Sequence, residues 1–153
     1  MRRNHALEHA TVSVMLNRLG PTIRLVGRAV PNGFYIYGNI PGDVIEGSAR
    51  EALTRLQRGE ANLAVTPLCG TNIAVAGILA GALSMLSMGR ERRLDRLPNV
   101  CTAAMLGVVA SQPLGRLVQQ HITTRPDLQH TSIAGIRASF GGKVHKVETS
   151  SRS

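Results

Sequence analysis

Two histidines and a glutamate near the start of the sequence have the residue types and the spacing of a metal site. His5, Glu8 and His9 stand at positions i, i+3 and i+4, so a helix would project all three from one face. Two imidazoles four residues apart can bind one zinc ion, and a carboxylate beside them can take a proton from water on the metal. The segment predicts zinc as the cofactor, His5 and His9 as ligands and Glu8 as a catalytic base. The alternative is a helix start whose histidines lie on a solvated or half-buried face.

The order H-x-x-E-H in these five residues resembles the motif of the inverted zinc peptidases, or inverzincins. The resemblance implies a hydrolase in which His5 and His9 hold zinc and Glu8 is the general base. It also implies a third ligand, a glutamate supplied by a downstream helix. The inverzincins are much larger enzymes, so this chain has little room for their complete fold.

Candidates for the third ligand lie on two predicted elements. Glu46 and Glu51 stand on the second predicted helix, where each can instead form an ion pair with the arginine four residues later. His145 alternates with Val147 on the last predicted strand, which indicates a side chain that faces inward. An inward histidine can equally be a hydrogen-bonded core residue. We predict Glu46 and His145 as further metal ligands.

The polar parts of the chain combine helical and strand patterns. Apolar residues recur at helical spacing in two segments, and short β-rich runs are separated by turn residues. The patterns predict helices over residues 6–19 and 42–58, and strands over residues 22–30, 33–40, 62–66, 131–138 and 143–149. The last two strands are expected to form a hairpin around a turn at residues 140–142.

Two long windows without charged residues interrupt these polar parts. Residues 61–89 carry no charge and are mostly apolar from residue 69 to 88, and a second uncharged window covers residues 97–115. Crossing a bilayer takes about 20 apolar residues, and soluble core helices rarely run so long without charge. The windows predict a transmembrane hairpin whose second helix kinks or ends at Pro113 and Gly115. The alternative is an Ala- and Gly-rich hairpin buried in a soluble protein.

Small residues recur every four positions in both windows, a spacing that lets two helices approach closely in lipid. Gly77 and Gly81 form a G-x-x-x-G motif in the first window, and Gly107 belongs to a similar row in the second. These glycines predict contacts with other membrane proteins or with a second copy of the chain. Cys69 and Cys101, at the starts of the windows, would lie at opposite membrane faces, and we expect free thiols that pack like small apolar groups.

Composition narrows the range of partners. The 153 residues include 18 Lys and Arg against 9 Asp and Glu, a net charge of +9, whereas aromatic residues make up only 3%. Proteins that bind single-stranded nucleic acid need stacking rings along a basic groove, so nucleic acid is not expected as a partner. Beside a bilayer, the surplus of arginine favours contact with anionic lipid headgroups.

Two spans return the chain to the side of the membrane on which it started. The first twenty residues lack the uninterrupted apolar region of a secretory signal peptide, so we expect both termini on the cytoplasmic side of a bacterial cell membrane. Four arginines in the loop at residues 90–98 favour the opposite orientation. Three arginines precede the first span at a similar distance, and the orientation stays open.

The sequence is also similar, over nearly its whole length, to a family of small bacterial membrane proteins known only as a domain of unknown function. The similarity rests on RNHALEHATV at residues 3–12, NLAVTPLCGTNIAV at 62–75, ASQPLG at 110–115 and VHKVET at 144–149. It implies two membrane spans, and it implies that the HALEH segment is a feature shared by the family. It implies no activity.

Together these patterns predict an α+β fold in which a small polar α/β layer is joined to a two-helix transmembrane hairpin. We expect a polar part at residues 1–66, the hairpin at 67–118, a C-terminal β-hairpin packed on the first part at 119–149 and a frayed end at 150–153. The function predicted is a membrane protein with a zinc site, acting as a minimal metal-dependent hydrolase or peptidase. The alternatives are a non-enzymatic assembly or scaffold subunit of a larger complex, and a metal-binding regulatory module.

Overall fold

The structure, a computed structural model, describes residues 1–66, 69–89, 94–139 and 141–151. The chain forms two compact units, one made of Met1–Thr66 with Thr123–Ser153 and the other of Pro67–Ile122. Arg90, Arg92 and Arg93 of the predicted loop and Phe140 of the predicted turn lie outside the described residues.

The first unit is a four-stranded antiparallel sheet with two helices packed on it. Its strands lie in the order β1-β2-β4-β3, and every neighbouring pair is antiparallel. The elements are α1 (Arg2–Leu19), β1 (Val26–Val30), β2 (Gly33–Tyr37), α2 (Gly42–Gln57), β3 (Thr131–Ser139) and β4 (Val144–Ser151). The predicted α+β class is confirmed.

The alternation of side chains decides which face of the sheet is covered. Phe34 and Ile36 on β2 are fully buried, as is Val147 on β4, and all three belong to the same core. On the opposite face Lys146 lies over the ring of Tyr35, with its Nζ 5.9 Å from the ring centroid. Because strand residues alternate between faces, this one-sided core places the sheet between helices on one side and water on the other.

Apolar stripes on the two helices complete this core. The predicted stripe of α2 is confirmed, since Ile45, Ala49 and Ala52 have no exposed surface and Leu56 is 3% exposed. On α1 the buried apolar residues are Ala6, Leu7, Ala10, Val12, Val14 and Met15. Arg18 of α1 donates a hydrogen bond to Glu51 of α2 and links the helices at the surface.

Several element boundaries differ from the sequence prediction. Helix α1 begins at Arg2 rather than residue 6, which places the whole HALEH segment on a helix. The prediction of a short strand at residues 62–66 is wrong, because Ala61–Ala64 forms a 3₁₀ turn. Strand β4 continues to Ser151, paired with Thr131, and so includes two of the four residues expected to fray.

The second unit is a pair of long apolar helices, α3 (Gly70–Met88) and α4 (Leu97–Val118), and a π-helical turn continues α4 over Gln119–Thr123. Both helices are long and apolar enough to cross a membrane. The large side chains Ile73, Ile78, Met85 and Leu86 of α3 are 70 to 78% exposed. Helix α4 does not end at Pro113 or Gly115, since Pro113 lies inside it and the helix continues to Val118. The alternative, a kink at these residues, stays a prediction.

Small residues let α3 and α4 approach closely. A Cβ atom placed on Gly107 would lie 2.7 Å from the backbone nitrogen of Ala80, and one on Gly115 would lie 2.1 Å from Oδ1 of Asn72. The residue numbers rise along α3 as they fall along α4, so the helices are antiparallel. A Cβ on Gly77 or Gly81 would meet nothing within 4 Å among the described residues. Contacts of Gly77 and Gly81 with another protein therefore stay a prediction.

A buried polar pair joins the two helices at one end. Nε2 of Gln119 donates a 2.7 Å hydrogen bond to Oδ1 of Asn72. Gln119 has no exposed surface and Asn72 is 7% exposed, so each amide gains a partner that water does not supply there.

Candidate metal centre

The two histidines of the HALEH segment lie side by side on α1. Their spacing of four residues corresponds to about one helical turn, which brings their rings together. The ring centroids of His5 and His9 are 4.3 Å apart and the ring planes are inclined by 65°. His9 is 3% exposed and His5 is half-buried, so the pair lies at the margin of the core rather than on a solvated surface.

Each imidazole is held by a backbone carbonyl. Nδ1 of His5 lies 3.0 Å from the carbonyl oxygen of Thr123, and Nδ1 of His9 lies 2.8 Å from that of Ala64. A carbonyl oxygen only accepts hydrogen bonds, so Nδ1 is the donor in both rings. In the neutral imidazole the lone pair is then on Nε2, which is the arrangement found in histidines that bind metals through Nε2.

Glu8 lies beside this pair and is itself buried. It is 6% exposed, and its Oε2 lies 3.7 Å from Nε2 of His9. Its carboxylate occupies the space over Gly27 on β1, where a Cβ atom would lie 1.7 Å from Oε1. The missing side chain at position 27 therefore makes room for the Glu8 carboxylate next to the imidazoles.

Cys69 stands directly before α3 in the second unit. It is 7% exposed and forms no disulfide, and its Sγ accepts a hydrogen bond from the amide of Thr71.

The other two predicted ligands, Glu46 and His145, contact other residues of the α/β unit. Glu46 forms the predicted ion pair with Arg50, at 2.7 Å on the surface of α2. His145 is 4% exposed, and its ring lies against Gly42 at the start of α2. A role for Glu46 or His145 as a metal ligand stays a prediction.

Sequence reasoning identifies His5, Glu8 and His9 from their helical spacing, but not the carbonyl groups of Thr123 and Ala64 that hold the two rings. The bond from His9 depends on the 3₁₀ turn at Ala61–Ala64, where the sequence predicts a strand.

Comparison with known proteins places the chain in a family without assigning an activity. An uncharacterized protein of Picosynechococcus sp. (strain PCC 7002) is 37% identical over 137 residues, which cover 81% of this chain and 65% of that protein. The chain thus spans less than two thirds of its relative's length. No solved structure matches the chain. The family model of a domain of unknown function, DUF6391, matches residues 1–136, and the chain therefore belongs to this family.

Proposed function

We propose that the protein is a membrane protein that binds zinc through His5 and His9 and uses it in a hydrolytic reaction. The observation that carries this proposal is the pair of bonds from Nδ1 of His5 and His9 to backbone carbonyls. These bonds orient both rings and favour Nε2 as the atom that binds the metal. Such outer hydrogen bonds are typical of metal-binding histidines.

The donor set favours zinc over the hard cations. Magnesium and calcium prefer oxygen ligands, whereas imidazole nitrogens suit zinc and related transition metals. Structural zinc sites have four protein ligands, and catalytic sites have three and leave one position for water or substrate. A third protein ligand, for which Glu46 and His145 are the candidates, would complete the catalytic number.

Glu8 supplies the group that such a reaction needs. Zinc held by the two histidines would supply a Lewis acid that lowers the pKa of water to about 7. The Glu8 carboxylate, with its Oε2 3.7 Å from Nε2 of His9, would serve as the proton acceptor. Burial beside Gly27 restricts the carboxylate to this position.

The apolar helices support a location in a bacterial cell membrane. Both α3 and α4 are long enough to cross, and their large apolar side chains are exposed rather than packed in a core. In lipid those side chains lose no hydrophobic stabilisation by remaining exposed, whereas in water they would form an apolar patch prone to association.

Metal analysis of the detergent-purified protein tests the ligand set. We expect about one zinc per wild-type chain and a strong loss in His5→Ala and in His9→Ala. The matched control is His130→Ala, which changes an exposed histidine. Equal zinc in wild type and His9→Ala would exclude the site.

The hydrolase part of the proposal is tested separately, with Glu8→Gln. This variant keeps the shape of the side chain, so we expect zinc to be retained while hydrolysis of a peptide library falls about 100-fold or more. If the zinc-loaded wild type cleaves no peptide or ester, the zinc has a structural or regulatory role. The non-enzymatic alternative, an assembly subunit of a larger membrane complex, is then favoured.

A further inference from the structure

A basic cavity lies in the α/β unit, where α1 begins beside the ends of β3 and β4. Its volume is about 520 Å³, and it is separate from the proposed metal ligands. Its lining includes three arginines and two hydroxyl residues: Arg2, Arg3, Arg125, Thr131 and Ser151. The described lining residues include no aspartate or glutamate.

Arg3 has one charged and one neutral partner among the described residues. Its Nη2 lies 3.3 Å from Oδ2 of Asp127, a pair that is exposed to water. Nη1 of the same guanidinium donates to Oγ of Ser151 at 3.4 Å. The grouping of three guanidinium groups at one cavity favours an anion as its ligand.

Two buried polar atoms around the cavity lack hydrogen-bond partners among the described residues. Oγ1 of Thr131 is one of them, in a residue only 5% exposed, and Nε of Arg3 is the other. Buried polar groups in folded proteins are nearly always hydrogen-bonded, so two such atoms at one cavity indicate a missing partner. An oxygen-rich anion supplies acceptors for both.

The wall of the cavity is held in place by hydrogen bonds of the backbone and of the Asn4 side chain. Nδ2 of Asn4 donates to the carbonyl oxygens of Val30 and Pro31, both at 2.9 Å, and its Oδ1 accepts from Thr149. The amide of Arg125 donates to the carbonyl oxygen of Arg2 at 3.2 Å. The arginines therefore project from backbone that is already held in place, which lowers the entropic cost of binding a ligand.

We propose that this cavity binds a phosphate group. Guanidinium groups recognise phosphate through paired, charge-assisted hydrogen bonds, and hydroxyl groups add neutral donors. A lipid with a phosphomonoester headgroup and a soluble phosphate compound carry the same group, and both fit the cavity's chemistry. The proposal does not depend on the zinc site.

Calorimetric titration of the full-length protein in a neutral detergent, with inorganic phosphate as the probe, tests whether the cavity binds a soluble phosphate compound. We expect saturable binding that weakens about tenfold or more in Arg125→Gln and in Thr131→Val. The matched control is Arg137→Gln, which removes the same charge from an exposed arginine of β3 paired with Glu148. Circular dichroism of each variant separates lost binding from lost folding.

The second arm uses the same proteins and nanodiscs of phosphatidylcholine with or without phosphatidic acid. If phosphatidic acid protects the wild type but not Arg125→Gln against heat unfolding, and phosphate alone binds weakly, the source is the lipid. Tight binding of phosphate without that protection identifies a soluble ligand. Binding of neither probe, or an equal effect of Arg125→Gln and Arg137→Gln, would overturn the proposal.

Discussion

At the scale of single residues, the position of Glu8 is set by a residue on another element. The Glu8 carboxylate fills the space that a side chain at position 27 would take, and it lies 3.7 Å from Nε2 of His9. The strand glycine thus matters for the site without contacting a metal. This relation could not be read from the sequence, because residues 8 and 27 are brought together only by the packing of α1 on β1.

We therefore predict that Gly27→Ala lowers the affinity for zinc more than it destabilises the fold. The new methyl group displaces the Glu8 carboxylate from the imidazoles, and changes next to metal ligands typically cost about 10- to 100-fold in metal affinity. Competition with a zinc-binding dye measures this affinity. Gly135→Ala is the matched control, since it also adds a methyl group to a strand glycine but meets nothing within 4 Å. Equal zinc affinities in the two variants would contradict the prediction.

At the scale of elements, the small residues of α3 and α4 divide into two sets with different surroundings. Gly107 faces the backbone of Ala80, so it belongs to the contact between the helices. Gly81 has open space where a side chain would be. Sequence spacing alone identifies both as small residues on helices but does not say which of them faces the partner helix.

We predict that Gly107→Ala destabilises the helix pair, whereas Gly81→Ala does not. A methyl group at position 107 meets backbone atoms that cannot rotate away, and overpacking of this kind costs about 1–3 kcal/mol. At position 81 the change is neutral or slightly stabilising, because alanine has the higher helix propensity. Heat unfolding in one detergent, followed by circular dichroism, compares the two. A lower melting temperature for Gly81→Ala than for Gly107→Ala would refute this assignment of the contact.

The C-terminal end of α2 offers a test of electrostatics outside the apolar helices. Hydrogen bonds from Arg55, at 2.8 and 2.6 Å, lower the pKa of the Glu60 carboxyl, with smaller contributions from the charges of Arg55 and Arg58. A lowered pKa in the folded state means that the pair stabilises the fold above the ordinary glutamate pKa. This stabilisation is lost as the pH falls through the lowered value.

We expect the titration midpoint of Glu60 to rise towards its ordinary value in Arg55→Gln. Carbon-detected NMR of the side-chain carboxyl measures the midpoint directly. Arg50→Gln is the control, because Arg50 pairs with Glu46 on the same helix. A midpoint that moves equally in both variants would show that general charge, rather than the Arg55 hydrogen bonds, is responsible.

Prediction from sequence succeeded where one local pattern determines the outcome. The stripe of α2, the inward position of His145 and the two long apolar helices depend on periodicity or length within a single segment. It failed at residues 62–66, where a strand is predicted, and of the two outcomes predicted at Pro113 and Gly115, a kink or a helix end, the end is excluded. A local apolar pattern does not distinguish a short strand from a 3₁₀ turn, and a proline inside a long helix does not always end it.

At the scale of the whole molecule, charge and apolar surface are separated along the chain. Both apolar helices lie in the unit Pro67–Ile122, whereas most of the arginines stand outside it. The helices are antiparallel and, as membrane spans, would return the chain to its original side. The two ends of the hairpin would therefore lie on one side of the membrane.

We predict that Asp95 and Ser132 lie on opposite sides of the membrane. Asp95 precedes α4, and Ser132 is an exposed residue of β3, so one crossing of α4 separates them. Single cysteines at these positions, in a protein with Cys69 and Cys101 replaced by serine, can be labelled with a membrane-impermeant maleimide. In vesicles of one orientation only one of the two should react, and inverting the vesicles should exchange them. Labelling of both positions from the same side would show that α3 and α4 do not span the membrane, and the helices would then have to be covered by protein.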